Sequence, residues 1–500
     1  MMGRLALILW AAMAAAPDMG SFTLTVRDGA TRAPVAVRVH LRDWDGKVVK
    51  VSEHPYWHDH YAVDGASTIA LPTGYYRYTI ERGPEFDSAN GVVSIHAGEN
   101  AEVIEQILRL IDMPARGWWP GDLHVHRPVE DIEVLMRAEA LHIAPVITWW
   151  NAKNYWTERA IPRETVVKFD SNRFYEVMAG EDERNGGAYL YFHRNAPMDF
   201  RGYDKEYPFP FAGDTFAKNN AATWTDIEKP FWWDVPAAIA FGRGDSIGLA
   251  NNHMCRSGMY ESEAWGRARD SRRLPSPRGN GYWSQEIYYE LLNCGLRIPP
   301  SAGSASGVLP NPVGYNRVYV QVEGPLTWEA WWGGLRAGRT FVTNGPMLMV
   351  KANGELPGHV FHAKNGIVIA LEAEILSADA IPYIEIIKNG EIVRRVPFED
   401  WRRTGSLGIV SFDESGWFLV RAVTDNAKTF RFASTAPYYV EVGRSKTRIS
   451  RQSAEFFRDW VRERIARVQH DDAAKKAELI RDYGIAERFW DERMKRANAE

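Results

Sequence analysis

Between residues 121 and 151 the hydrophobic pattern changes its period twice, and this limits the fold more than any other feature of the chain. GDLHVH (121–126) alternates like a strand. VEDIEVLMRAEALH (129–142) puts Val134, Leu135, Ala138 and Leu141 on one helical face, and APVIT (144–148) is a short apolar run of the kind buried in parallel sheets. Strand, helix, strand is a βαβ unit. It needs a sheet with covered faces, and it sets GDLHVH and ITWWN (147–151) at the carboxyl ends of neighbouring strands, where α/β sheets bind ligands. FYEVMAGE (174–181), DSIGLANNH (245–253) and GLRIPPSAGS (295–304) are predicted as further strands ending in the same crater.

On either side the period is two. FTLTVRD (22–28), VAVRVHLRDWDGK (35–47) and LPTGYYRYTIERGPEF (71–86) alternate apolar and polar residues around turn signals at Asp28-Gly29 and Asp45-Gly46, which predicts a β-sandwich over 21–112. Beyond the α/β region, set at 113–345, GIVIALEAEI (366–375), YIEIIKNGEIV (383–393) and GWFLVRAVTD (416–425) predict a second β-rich domain over 346–445. Residues 446–500 read as a helical tail: Phe457, Val461, Ile465 and Val468 form a stripe, Asp471-Asp472 cap a second helix, and Gly484 is expected to end it. The expected class is multidomain α/β plus β, with two to four domains in 500 residues.

The first sixteen residues hold Arg4, an apolar run and then small residues, which predicts a signal peptide over 1–16 and an exported protein, periplasmic or extracellular. No later segment is apolar enough for stable membrane insertion once the signal is removed. A net charge of -4 argues against a nucleic-acid partner and leaves a small-molecule substrate or ligand; the oligomeric state is left open. Cys255 and Cys294 lack the spacing of a zinc knuckle and read as buried small residues.

Two histidines one residue apart on a strand share a face, so His124 and His126 can reach one ion. Asp122 adjoins them and can orient an imidazole through its second nitrogen, or cap a turn. Acids end the next strand (Glu181, Asp182, Glu183, any of them a candidate ligand), and His253 ends another. Two or three imidazoles with a carboxylate suit a divalent metal such as zinc, manganese or iron. His124, His126, Glu181 and His253 are the candidate ligands, and Asp122 and Glu183 the candidate catalytic carboxylates. Trp149, Trp150 and Asn151 are placed at the substrate pocket, the indoles as an apolar wall.

The order of these motifs resembles the polymerase-and-histidinol-phosphatase (PHP) metallohydrolases, and within them the carbaryl-hydrolase-like CehA/McbA branch. GEDERNGGAYLYF (180–192), LLNCGLRIPPSAGSASGVLPNPVGYNRVYV (291–320) and GRTFVTNGPML (338–348) carry the likeness to that branch, which spans 116–349. TVRDGATRAPV (25–35) and LPTGYY (71–76) look like a transthyretin-like, carboxypeptidase-regulatory domain. The PHP resemblance implies a distorted (β/α)7 barrel, up to three divalent metals, and hydrolysis of phosphoesters or, in this branch, of carbamates and esters.

His124 and His126 match the family's first motif, Glu181 its bridging carboxylate and His253 its later histidine. The departures are Trp149-Trp150 where Thr148 would precede Asp-His, Ala305-Ser306-Gly307 where Gly303-Ser304 would precede Asp-x-His, and Ala188 where a histidine is common, with His193 five residues on. With half the ligand set gone, the expectation is one ion rather than a two-metal clamp, and cleavage of an ester, amide, carbamate or phosphoester bond. The alternative is a catalytically inactive relative that binds a carbohydrate or aromatic ligand, or a protein partner. Whether a distant aspartate such as Asp214, Asp234 or Asp245 swings in to restore a lost ligand is left open by the sequence.

Overall fold

In the computed structural model, which describes residues 18–211, 223–444 and 447–500, the N-terminal alternation becomes two facing sheets. The signal peptide expected at 1–16 lies outside the described residues. Ala66–Pro72, Met19–Asp28 and Asn100–Ile107 form one sheet; Tyr56–Trp57, His60–Asp64, Ala36–Asp43, Gly74–Glu81 and Ala89–Ile95 form the other. Every second residue of the first strand, Phe22, Leu24 and Val26, is buried, and Phe22 stacks on Tyr78 of the second sheet at 6.0 Å. Residues 88–108 belong to this unit, while 82–87 run with the second unit, which continues from residue 109 to the end.

The second unit is a mixed α/β structure, rich in sheet and poor in helix. Ile143–Trp150 runs parallel to Arg173–Arg184, which pairs antiparallel with Gly187–Phe192, and that strand antiparallel with Trp224–Ile227. Trp224–Ile227, Ser246–Ala250 and Pro300–Ala302 then follow in parallel. GDLHVH joins the two ends of this series. Val125 bridges Val146 on one side and Ser306 on the other, so the strands close on themselves with both histidines at the seam. Trp118–Gly121 extends the ladder through Arg317–Gln321 to Thr340–Thr343 and Phe432–Thr435. One hydrogen-bonded sheet therefore passes from the α/β region into the C-terminal β region.

The helix expected over 129–142 is a 3-10 turn followed by Ile132–Ala138, and it stops there because Ala140 takes a left-handed conformation (φ 50°). The tail forms two helices, Arg451–Arg467 and Ala473–Lys495, and the Asp472 carboxylate accepts from the N–H groups of Ala474 and Lys475 as the capping pattern predicts. Gly484 does not end the second helix. Tyr483, Ala486 and Trp490 are buried on its inner face, and that burial outweighs the roughly 1 kcal/mol that an internal glycine costs. Both cysteines are free and buried. Among the described residues no helix is long and apolar enough to cross a membrane.

One buried acid in this framework gives the stability a pH dependence. Glu176 Oε1 accepts from the N–H groups of His193 (2.8 Å) and Arg194 (3.2 Å), and burial pushes its carboxyl up to about 8. A folded-state value above the unfolded one means stabilisation that is complete below about pH 4 and is lost as the pH rises to about 8. Glu176→Gln keeps the acceptor and removes the titration. Its free energy of unfolding is expected to gain on wild type from pH 5 to 8, by at most about 1.4 kcal/mol per pH unit, and then level off, with the melting temperature following. Parallel pH profiles for the two proteins contradict this.

Candidate metal centre

The segment that carries His124 and His126 is held on both sides by backbone hydrogen bonds. Ala305 N–H donates to His124 O (2.7 Å), His126 N–H to Ser306 O (2.8 Å) and Ile147 N–H to Val125 O (2.8 Å). The expected strand ends at Gly121, before the histidines, but the bridges that Val125 makes on both sides keep the strand-like alternation, so both imidazoles turn to one side and their Nε2 atoms stand 2.9 Å apart. Glu181 comes from the far end of Arg173–Arg184. Its Oε2 is buried, makes no directed hydrogen bond, and lies 3.1 Å from His126 Nε2 and 3.6 Å from His124 Nε2.

Three atoms able to offer lone pairs at such separations repel one another unless a proton or a cation lies among them. Donors about 2.1 Å from a first-row divalent ion stand about 3.0 Å apart at a right angle and about 3.4 Å apart at the tetrahedral angle. The separations of 2.9, 3.1 and 3.6 Å bracket those values, so the donor set fits one ion. A second buried trio, His40, Asp59 and His60, lies in the N-terminal unit, where the Nε of Arg38 donates to His40 Nε2 at 3.1 Å.

The charges follow from this crowding. Burial works to raise the Glu181 carboxyl, but the two imidazoles outweigh it and hold the group well below the usual carboxylate range. Burial works to lower His124, but the Glu181 carboxylate beside it raises it; for His126 burial wins and the imidazole is lowered. Glu183 lines the same cavity, with its Oε2 accepting from Trp150 Nε1 at 2.9 Å, and burial followed by the Glu181 charge raises its carboxyl.

The other expected residues divide along the strands. Asp182 alternates away from Glu181 and Glu183 and forms a double hydrogen bond with Arg184 (2.7 and 2.6 Å), which leaves Glu181 as the carboxylate that converges on the histidines. Asp122 is buried and spends its oxygens on the backbone N–H groups of His124, Ser304 and Gly314 (3.0, 3.0 and 2.7 Å), so it fastens the loops under the histidines instead of touching an imidazole. His253 lines the cavity but lies outside the converging trio; its Nδ1 is spent on Ser262 O at 3.0 Å, and burial holds it well below the usual histidine range.

Trp150 walls the cavity, with its ring 5.0 Å from that of His126. Trp149, its neighbour on the strand, points the opposite way into the core, is 2 % exposed and stacks on Tyr191. Asn151 binds the backbone of Glu183 through both ends of its amide (2.8 and 2.9 Å) and so joins the two strand ends. Ala188 and Ala305 line the cavity where larger ligands would reach in, while His193 packs among Trp224, Trp328 and Trp332. Asp234 and Asp245 are engaged elsewhere, by Arg464 and by Thr225 N–H, and Asp214 lies outside the described residues.

Sequence reasoning missed Glu228 and Lys229, which follow Trp224–Ile227. Glu228 Oε1 stands 3.4 Å from His124 Nδ1, so the carboxylate behind that histidine is Glu228 and not Asp122. Trp232 Nε1 (2.9 Å) and Asn252 Nδ2 (2.7 Å) also donate to Glu228, and Lys229 pairs with it. An acceptor at Nδ1 keeps the proton on that nitrogen and leaves the Nε2 lone pair for the trio. The signal was present in TDIEKP (225–230), where Asp226 and Glu228 alternate at a strand end as Glu181 and Glu183 do. The resulting cavity, of about 200 Å³, has an indole wall of Trp150, Trp232 and Trp265.

No family model matches the chain, and no curated protein does. Among solved structures it is similar to the Bacillus anthracis TIE protein at 22% identity and a TM-score of 0.15, over 23% of this chain and 20% of that one.

Proposed function

We propose that this chain is a metal-dependent hydrolase of PHP-like architecture that cleaves an ester, carbamate, amide or phosphoester bond at a single divalent ion, zinc, manganese or iron. One observation carries the reading: three buried donor atoms, His124 Nε2, His126 Nε2 and Glu181 Oε2, converge at ion-binding separations, and the carboxylate oxygen has no hydrogen bond of its own. Closure of the strands around GDLHVH supports the barrel part of it. A divalent ion among these donors supplies Lewis acidity, polarising a carbonyl or phosphoryl oxygen and acidifying water.

The chain's own residues do the rest. Glu228 fixes the tautomer and aim of His124. Glu183, anchored by the Trp150 indole, is placed to hold or release a proton at its carboxylate inside the cavity. Trp150, Trp232, Val308 and Leu309 give apolar walls to a space that admits a small substrate or the end of a larger one. The same indole wall favours the second reading, a non-catalytic binder of an aromatic or carbohydrate ligand, in which the trio has a structural role.

Elemental analysis of protein grown with ample zinc, manganese and iron separates the two. Close to one ion per chain is expected for wild type, and loss of nearly all of it for His124→Ala/His126→Ala. A metal-free wild type under those conditions sinks the enzyme reading.

A further inference from the structure

We propose that Lys229 is a resident cation of the candidate metal centre, supplying through its ammonium the positive charge that one divalent ion leaves wanting and setting how tightly that ion is held. The inference rests on the metal reading above and deepens it.

Charge within the cavity is the starting point. Glu181, Glu183 and Glu228 line it, and among the described residues lining it Lys229 is the one lysine or arginine. Lys205 is not part of the lining: its Nζ donates to the backbone carbonyl of Glu183 at 3.3 Å, and its charge acts on the Glu183 carboxylate from outside the cavity. With all three carboxylates ionised, one divalent ion and one ammonium balance them and one divalent ion alone does not.

Lys229 is also built in. It is 5% exposed, its Nζ pairs with Glu228 Oε1, and it stands 4.6 Å over the Trp232 ring, whose Nε1 binds the other oxygen of the same carboxylate. Indole and ammonium thus clamp Glu228 from two sides while it faces His124 Nδ1. Lysine, carboxylate, imidazole and the converging trio form one contiguous chain of contacts. A cation so close to an ion site weakens the ion's binding by Coulomb repulsion, and it gives the cavity a second fixed positive charge to set against an anionic oxygen. Lys229 is therefore a positioning residue for Glu228 and an electrostatic partner of the ion.

The test is a calorimetric titration of the whole chain, stripped of metal, with Mn²⁺ alone. Lys229→Met, which removes the charge and keeps the length, is expected to bind the ion about tenfold more tightly or more, and Lys229→Arg to stay near wild type. Glu228→Gln has the opposite expected sign, about 10- to 100-fold weaker binding, because His124 loses its carboxylate and the lysine its partner. Lys229→Gln, with melting curves for every variant, stands in for Lys229→Met if that protein does not fold. A merely structural lysine predicts weaker binding or none of these differences. Wild type that takes up neither Mn²⁺ nor, in a repeat of the titration, Zn²⁺ or Fe²⁺ overturns the metal reading and this role together; wild type that binds one ion, with Lys229→Met and Lys229→Gln no tighter, overturns the role of Lys229 alone.

Discussion

Gly180→Ala is expected to lower stability by roughly 3 kcal/mol or more and to weaken the candidate metal site with it. Gly180 and Trp149 are partners in neighbouring parallel strands, and a Cβ on Gly180 would lie 1.9 Å from Trp149 Cε2 and 2.0 Å from its Cδ2. The indole has no room to withdraw. It is 2% exposed, its Nε1 donates to Met178 O at 3.0 Å, and Tyr191 stacks parallel to it with an interplanar angle of 10°. The strand must therefore move, and the next residue along it is Glu181. A chemical denaturation curve gives the loss of stability, and a metal titration of the folded protein gives the loss of affinity. Shrinking the indole in a Gly180→Ala/Trp149→Leu double variant should recover part of the affinity relative to Gly180→Ala alone, because the two sites are coupled through contact. A Gly180→Ala protein with an unchanged denaturation midpoint contradicts the packing argument.

This pair also marks the limit of what the sequence reveals. The spacing of His124 and His126 and the acid at a strand end identified the trio that the fold brings together, because alternation along a strand is a local rule. The same rule separates Trp149 from Trp150: reading both as cavity wall ignored that adjacent residues on one strand face opposite sides. It likewise selects Glu181 and Glu183 over Asp182.

The rest depended on contacts far apart in the chain. Glu228 and Lys229 follow a strand of four residues, Trp224–Ile227, in which two polar residues break up any apolar run. Its existence depends on pairing with Gly187–Phe192 and Ser246–Ala250, which no local period announces. Asp122 and His253 were candidates by residue type, yet their hydrogen bonds go to Gly314 N–H and Ser262 O, partners that only tertiary structure supplies. Gly484 shows the same competition in a helix. Propensity marked a stop, but the burial of Tyr483 and Trp490 on either side carries the helix through.

Arg464→Ala is expected to destabilise the chain by about 3–5 kcal/mol, although it lies in the helical tail far along the sequence from the candidate metal centre. The guanidinium is 4% exposed and holds two carboxylates, with Nε on Asp234 Oδ1 at 2.7 Å and Nη1 on Glu206 Oε1 at 2.8 Å; Tyr483 of the second tail helix donates to the same Asp234 oxygen at 2.8 Å. Truncation leaves two buried acids facing each other without a counter-charge, a worse state than a well-packed apolar contact. Arg464→Lys should recover only part of the loss, since one ammonium does not reproduce a planar fork that grips two carboxylates. Asp234 links this anchor to the site: its backbone N–H donates to Gly186 O at 2.9 Å, and it ends the segment that begins with Glu228, Lys229 and Trp232. Loosening the anchor is therefore expected to weaken metal binding as well, by a smaller factor than Glu228→Gln, whose side chain faces His124 directly. Equal melting temperatures for wild type and Arg464→Ala at neutral pH would show that the tail is not held by this cluster.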